Sequence, residues 1–180
     1  MTETITTATV KPNNFSKAFL LTASLAGSLD AIAAMTQFMF RTNWNDNPLK
    51  VWRFVASGVL GQDVMTKNIW MVAVLGLLFH FCIAFSFTLL FYVIYPKLKF
   101  LSKNLFLTGM LYGVFVWLVM NLVVVPFSNV TSKAKLWSTH TSFQIPADPT
   151  QMIIGILIIM FCVGLPISLL AGRYYSRRRQ

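Results

Sequence analysis

Acidic side chains are nearly missing from this chain. Among 180 residues only Glu3, Asp30, Asp46, Asp63 and Asp148 carry a carboxylate, and charged residues of either sign make up 11%. With 56% hydrophobic residues, there is too little polar surface to coat a water-soluble globule of this size. Cysteine is scarce too. Cys82 and Cys162 both fall inside apolar runs, where a structural disulfide would need close helix contact, so buried free thiols are expected. No nucleotide-binding loop, metal-ligand cluster or nucleophile with a positioned base can be found, so neither an enzyme nor a cofactor is expected. A haem would want two histidines at membrane depth, and His140 falls in a loop.

What is abundant is apolar sequence, in four long runs: Ala18 to Phe40, Trp70 to Tyr95, Leu105 to Val125 and Met152 to Ala171. At ~1.5 Å rise per residue even the shortest reaches ~30 Å, the thickness of one hydrocarbon core. The expected fold is therefore an all-α membrane protein with four transmembrane helices, residues 1–180 forming a single integral membrane domain. Lys17 before the first run and Ala31-Ile32-Ala33 within it give that run the look of a signal peptide, but it is counted here as a span. Residues 1–16, rich in Thr and Asn, form a loose tail. Between the first two spans, Asn47 and Pro48 make a helix-start signal. Val51, Phe54, Val55 and Val59 then follow at helical spacing while Lys50, Arg53 and Ser57 face the other way. This predicts a short amphipathic helix over 48–60, lying on the outer surface or dipping back between the spans.

The net charge of +10 does not gather on a groove-sized face, which argues against nucleic acid. Basic residues sit instead at the ends of the runs, where anionic phospholipid headgroups would meet them. If the N-terminus is cytoplasmic, the inside set is Lys11, Lys17, Lys97, Lys99, Lys103, Arg173, Arg177, Arg178 and Arg179, with Glu3 the lone acid. The outside set, Arg41, Lys50, Arg53, Lys67, Lys133 and Lys135, is diluted by Asp46, Asp63 and Asp148 over longer loops. Orientation therefore reads N-in, C-in. A basic turn, Pro96-Lys97-Leu98-Lys99, joins spans two and three. The long connection from Phe127 to Thr150 holds Trp137, His140 and a chance-level glycosylation sequon at Asn129, to which no function is given.

Asp30 is the only formally charged residue within a span. Placing it there costs roughly 3 kcal/mol on insertion scales, so it needs a partner. Ala23, Gly27, Ala31 and Ala34 run up its side of the helix, and small residues let another backbone come close. The second span has a matching face in Ala73, Gly76, His80, Ala84 and Thr88. Asp30 and His80 each lie ten residues below the outer ends Phe40 and Trp70, about 15 Å deep, and are expected to touch. Asn121 should sit ~9 Å shallower as a second polar layer. Such a cluster is either a proton- or ion-handling site or polar glue that fixes helix register. Gly109 and Gly113 form a GxxxG contact on span three, Pro166 should kink span four, and Trp70, Tyr92, Tyr95, Tyr174 and Tyr175 have the look of interface anchors.

At His80 with the aromatic-rich run into Pro96-Lys97-Leu98-Lys99, and at Gly109-x-x-x-Gly113 with Asn121-x-x-x-x-Pro126, the chain resembles the YagU-like bacterial inner-membrane proteins and their relatives in Bacteroidetes. The Ala56-Ser57-Gly58-Val59-Leu60-Gly61 stretch is similar as well. That resemblance covers roughly a quarter of the chain. It implies a small multi-span inner-membrane protein without an agreed activity. The expected role is an accessory or structural subunit that packs against other membrane helices, as a homo- or hetero-oligomer. The alternative is a small-solute or proton-coupled transport component built on Asp30 and His80.

Overall fold

The computed structural model describes residues 15–97, 103–129 and 149–179. Residues 1–14 of the expected tail, Leu98 and Lys99 of the basic turn, and residues 130–148 of the long connection, Trp137 and His140 among them, therefore lie outside the described residues, while Phe15 and Ser16 of the expected tail already belong to the first helix. Every regular element among those described is helical, and four helices are long and apolar enough to cross a membrane. In chain order the helices are α1 (Phe15–Arg41), α2 (Lys50–Leu60), α3 (Ile69–Ile94), α4 (Leu105–Phe127) and α5 (Pro149–Arg177). A short 3-10 turn, Gln62–Thr66, links α2 to α3. The protein is a four-helix membrane bundle with one extra short helix.

Asparagines start the middle helices. Asn68 Oδ1 accepts the Trp70 N–H at 2.9 Å and Asn104 Oδ1 the Leu107 N–H at 3.1 Å, so each fills one of the first-turn donors a helix leaves open. Asn47 does the same before α2, accepting the Leu49 N–H at 2.9 Å. At the other end of α2, Gly61 adopts φ 86°, a left-handed conformation open to glycine, and its N–H bonds Ser57 O at 2.9 Å.

Small residues set the closest helix contacts. A Cβ added to Gly109 would come 2.9 Å from Leu165 Cα, and one added to Gly164 would come 2.8 Å from Gly113 N, so α4 and α5 meet backbone to backbone. The meeting point on α5 is irregular. Leu165 N–H bonds Met160 O five residues back, making a π-helical turn, Met160–Gly164, just ahead of Pro166. The same device precedes Pro126 on α4, where Val125 N–H bonds Met120 O across Met120–Val124. A proline lacks an N–H and its ring crowds the carbonyl four residues back; the widened turn relieves that crowding. The break expected at Pro166 thus takes the form of a π turn.

At the end of the bundle away from α2, aromatic rings fill the interior. Phe91 and Tyr112 meet edge to face at 4.7 Å, and Tyr112 Oη donates to Phe87 O at 2.6 Å. Tyr92, 1% exposed, shares a 2.9 Å hydrogen bond with Thr22 Oγ1 and accepts Tyr175 Oη on its carbonyl at 2.8 Å. This corrects the expectation that Tyr92 and Tyr95 anchor the bundle at the headgroup level, because both are buried core residues. A phenol that finds a carbonyl or hydroxyl inside the protein has no need of the headgroup layer. Cys82 also departs from expectation, since it is exposed on the outside of α3 while Cys162 is partly buried.

Candidate functional site

Helix α2 reshapes the neighbourhood of His80. Gly76 leaves room for the Trp52 backbone, and a Cβ there would come 2.6 Å from the Trp52 carbonyl carbon. The Trp52 ring then reaches His80 edge to face at 5.3 Å. Ala56 clusters with Val64 and Val72, nearer the start of α3, so α2 runs back along α3 antiparallel to it. Gly76 lies seven residues into α3, which carries Trp52 about 10 Å inward from Ile69. Of the two arrangements the sequence left open, the structure has the dipping one.

The face of α2 that meets the bundle is only partly the expected one: Val51 and Val55 pack against the cluster of Ala31, Trp52 and Ala73. Trp52, Ala56 and Ser57 are buried, whereas Phe54 and Val59 are exposed. In water the most apolar face turns inward. Beside lipid, outward-facing Phe and Val carry no penalty, and contact with α3 selects small residues that allow close approach. Asn129 ties down the far end of α2: its N–H bonds Gly58 O at 2.8 Å and its Nδ2 bonds Val59 O at 3.2 Å, occupying carbonyls that the last turn leaves open.

His80 is held on three sides, by Trp52, by Phe81 at 5.6 Å edge to face, and by Gly27 of α1, whose carbonyl lies 3.0 Å from Nε2. A carbonyl oxygen can only accept, so Nε2 carries the proton and Nδ1 is the basic atom of the neutral ring. At Gly27 α1 and α3 pack closely: a Cβ there would meet the Phe81 ring at 2.9 Å and Ala84 Cβ at 3.2 Å. There Nε2 of His80 takes the Gly27 carbonyl, and no Asp30–His80 hydrogen bond or ion pair forms among the described residues. The two groups nevertheless lie within electrostatic reach of each other, and Asp30 also reaches Cys162 of α5.

The small-residue positions lie inside the bundle: Ala23, Gly27 and Ala31 on α1, Gly76 on α3, and Gly109 and Gly113 on α4 are all buried. Asn121 does not join the pair. Its Nδ2 bonds Trp117 O of its own helix at 2.9 Å, inside the π turn before Pro126. Sequence reasoning missed Trp52 altogether; its one available signal was Gly76, one turn from His80. No grouping of three or more His, Cys, Asp or Glu able to hold a metal occurs among the described residues. No family model, curated protein or solved structure matches this chain.

Proposed function

We propose that this chain is a component of a bacterial inner-membrane transport assembly that handles protons or small ions at Asp30 and His80. The carrying observation is the single carboxylate on a span, set within reach of an imidazole whose Nε2–H is fixed on Gly27 O and whose free basic atom is therefore Nδ1. An ionisable pair at this depth is costly, and the buried Trp52 ring packs against its imidazole. The basic residues at the ends of α1, α3 and α5, among them Lys17, Lys97, Arg173 and Arg177, fit a cytoplasmic face against anionic lipid with both termini inside. The resemblance to YagU-like proteins agrees with that location.

The test is proton movement in vesicles. Purified full-length chain in liposomes with an imposed pH gradient should dissipate it faster than empty vesicles, and Asp30→Asn and His80→Gln should each remove the difference while leaving helix content intact. Wild-type vesicles no leakier than empty ones refute proton handling at this pair.

One observation favours a second reading, an accessory subunit packed against foreign helices. Met120–Phe127 of α4 and Pro149–Ile159 of α5 contain no buried residue, so among the described residues about a third of each of these two spans is only partly covered by the chain's own helices. Purification in mild detergent separates the two: other subunits that co-purify favour the accessory role, and a lone homo-oligomer favours transport.

A further inference from the structure

The chemical class of the ion follows from α5, on the footing that Asp30 handles an ion at all. Pro166 has no N–H, and Leu165 N–H is drawn to Met160 O. The usual donor to the Phe161 carbonyl is thus taken, and the next one along is the proline. The usual donor to the Cys162 carbonyl is the proline itself. At most one helical N–H, that of Ile167, remains for these two consecutive carbonyls. Within hydrocarbon a carbonyl without a partner is costly, so the freed groups call for a neighbouring donor, a water or a bound ion.

Asp30 stands opposite this turn. α1 and α5 run antiparallel, since Phe15 at the start of α1 meets Tyr174 near the end of α5. Ala26 packs in the cluster that holds Val163 and Ile167. Asp30 is four residues further along the same face of α1, which brings it level with Met160–Val163. α1 packs directly on the Met160–Gly164 turn, and the Cys162 thiol lies within electrostatic reach of Asp30. The other titratable group facing Asp30 is His80 of α3, and α2 brings Trp52 to that neighbourhood.

A carboxylate beside backbone carbonyls released by a helix break is a set of hard oxygen ligands. A single carboxylate neutralises a single positive charge, and inside a bilayer any charge left over would be heavily penalised. We propose that Asp30 and the released carbonyls of Phe161 and Cys162 form a binding site for a monovalent alkali cation.

Binding of radioactive sodium to the full chain in mild detergent tests this, at mildly alkaline pH with ionic strength held by choline chloride. Wild type should bind sodium saturably, with lithium or potassium displacing it and choline failing to. Asp30→Asn should abolish binding. Pro166→Ala returns an N–H to the helix without touching a ligand side chain, and should weaken binding by roughly tenfold or more. Wild type alone supplies a further readout that needs no variant to fold: sodium, and not choline, should slow modification of Asp30 by a hydrophobic carbodiimide. Absence of saturable sodium binding, unchanged affinity in a folded Pro166→Ala, or labelling indifferent to sodium overturns the cation site. Proton flux lost in Asp30→Asn without any sodium binding discards the cation and leaves the proton reading standing; sodium binding without proton flux does the reverse.

Discussion

Replacing Gly76 by alanine should unseat α2. The new Cβ would lie 2.6 Å from the Trp52 carbonyl carbon and 3.0 Å from Trp52 Cα, all backbone atoms that no rotamer change can move. Carbon atoms at optimal separation stand about 3.5 to 4.0 Å apart, so α2 must retreat by roughly 1 Å. That would loosen the edge-to-face contact of Trp52 with His80, whose ring centres are 5.3 Å apart. Overpacking a close contact costs typically about 1 to 3 kcal/mol. At about 2 to 4 °C per kcal/mol for a chain of this length, the midpoint should fall by roughly 2 to 12 °C. Thermal unfolding in detergent, followed by near-ultraviolet dichroism, reads both the midpoint and the changed environment of Trp52. Gly155→Ala is the control, because its Cβ would meet only the Trp117 side chain, at 3.3 Å, which can give way. If Gly76→Ala melts with Gly155→Ala and keeps the wild-type near-ultraviolet spectrum, α2 does not rest on Gly76 and the account of the Trp52–His80 contact fails.

Tyr112→Phe removes the 2.6 Å hydrogen bond to Phe87 O while keeping the ring, so stability should fall by about 0.6 to 1.5 kcal/mol, measured as the shift in denaturant midpoint; no shift would mean that the bond is not formed. The Asp46 carboxylate is held by a hydrogen bond from Lys50 and another from the Asn47 N–H, which keep its pKa below the ordinary 3.8. Its contribution is present above pH 3.8 and lost as the pH falls through the lower folded value. Carboxyl resonances should show this titration, and Lys50→Gln should move it upward. For topology, a reporter that works only in the cytoplasm should be active after Gln180, and one that works only outside should be active near Ser138; the opposite pattern overturns the N-in, C-in orientation.

The sequence alone determined the fold class. Four runs long enough to span, almost no charge within them, and prolines or asparagines at their borders leave few alternatives, because hydrocarbon admits only helices and closed barrels. It also marked Asp30 and His80 as residues needing explanation, since ionisable groups inside apolar runs violate the pattern around them. Which way α2 turns was beyond its reach. The apolar face of a short helix signals burial in water, but beside lipid Phe54 and Val59 can face outward while Ala56 and Ser57 pack inward. Depth counting brought Asp30 and His80 together; at the notch at Gly27, where Phe81 and Ala84 close in, His80 takes a backbone carbonyl as its hydrogen-bond partner instead. The tyrosines teach the same lesson, for Tyr92 near the end of a span suits a headgroup anchor until Thr22 and Tyr175 from two other helices enclose it. Composition and spacing are properties of a single helix, and they fix which segments enter the membrane. Register, and the partner each polar atom finds, depend on where two backbones come closest, which only the packed bundle decides.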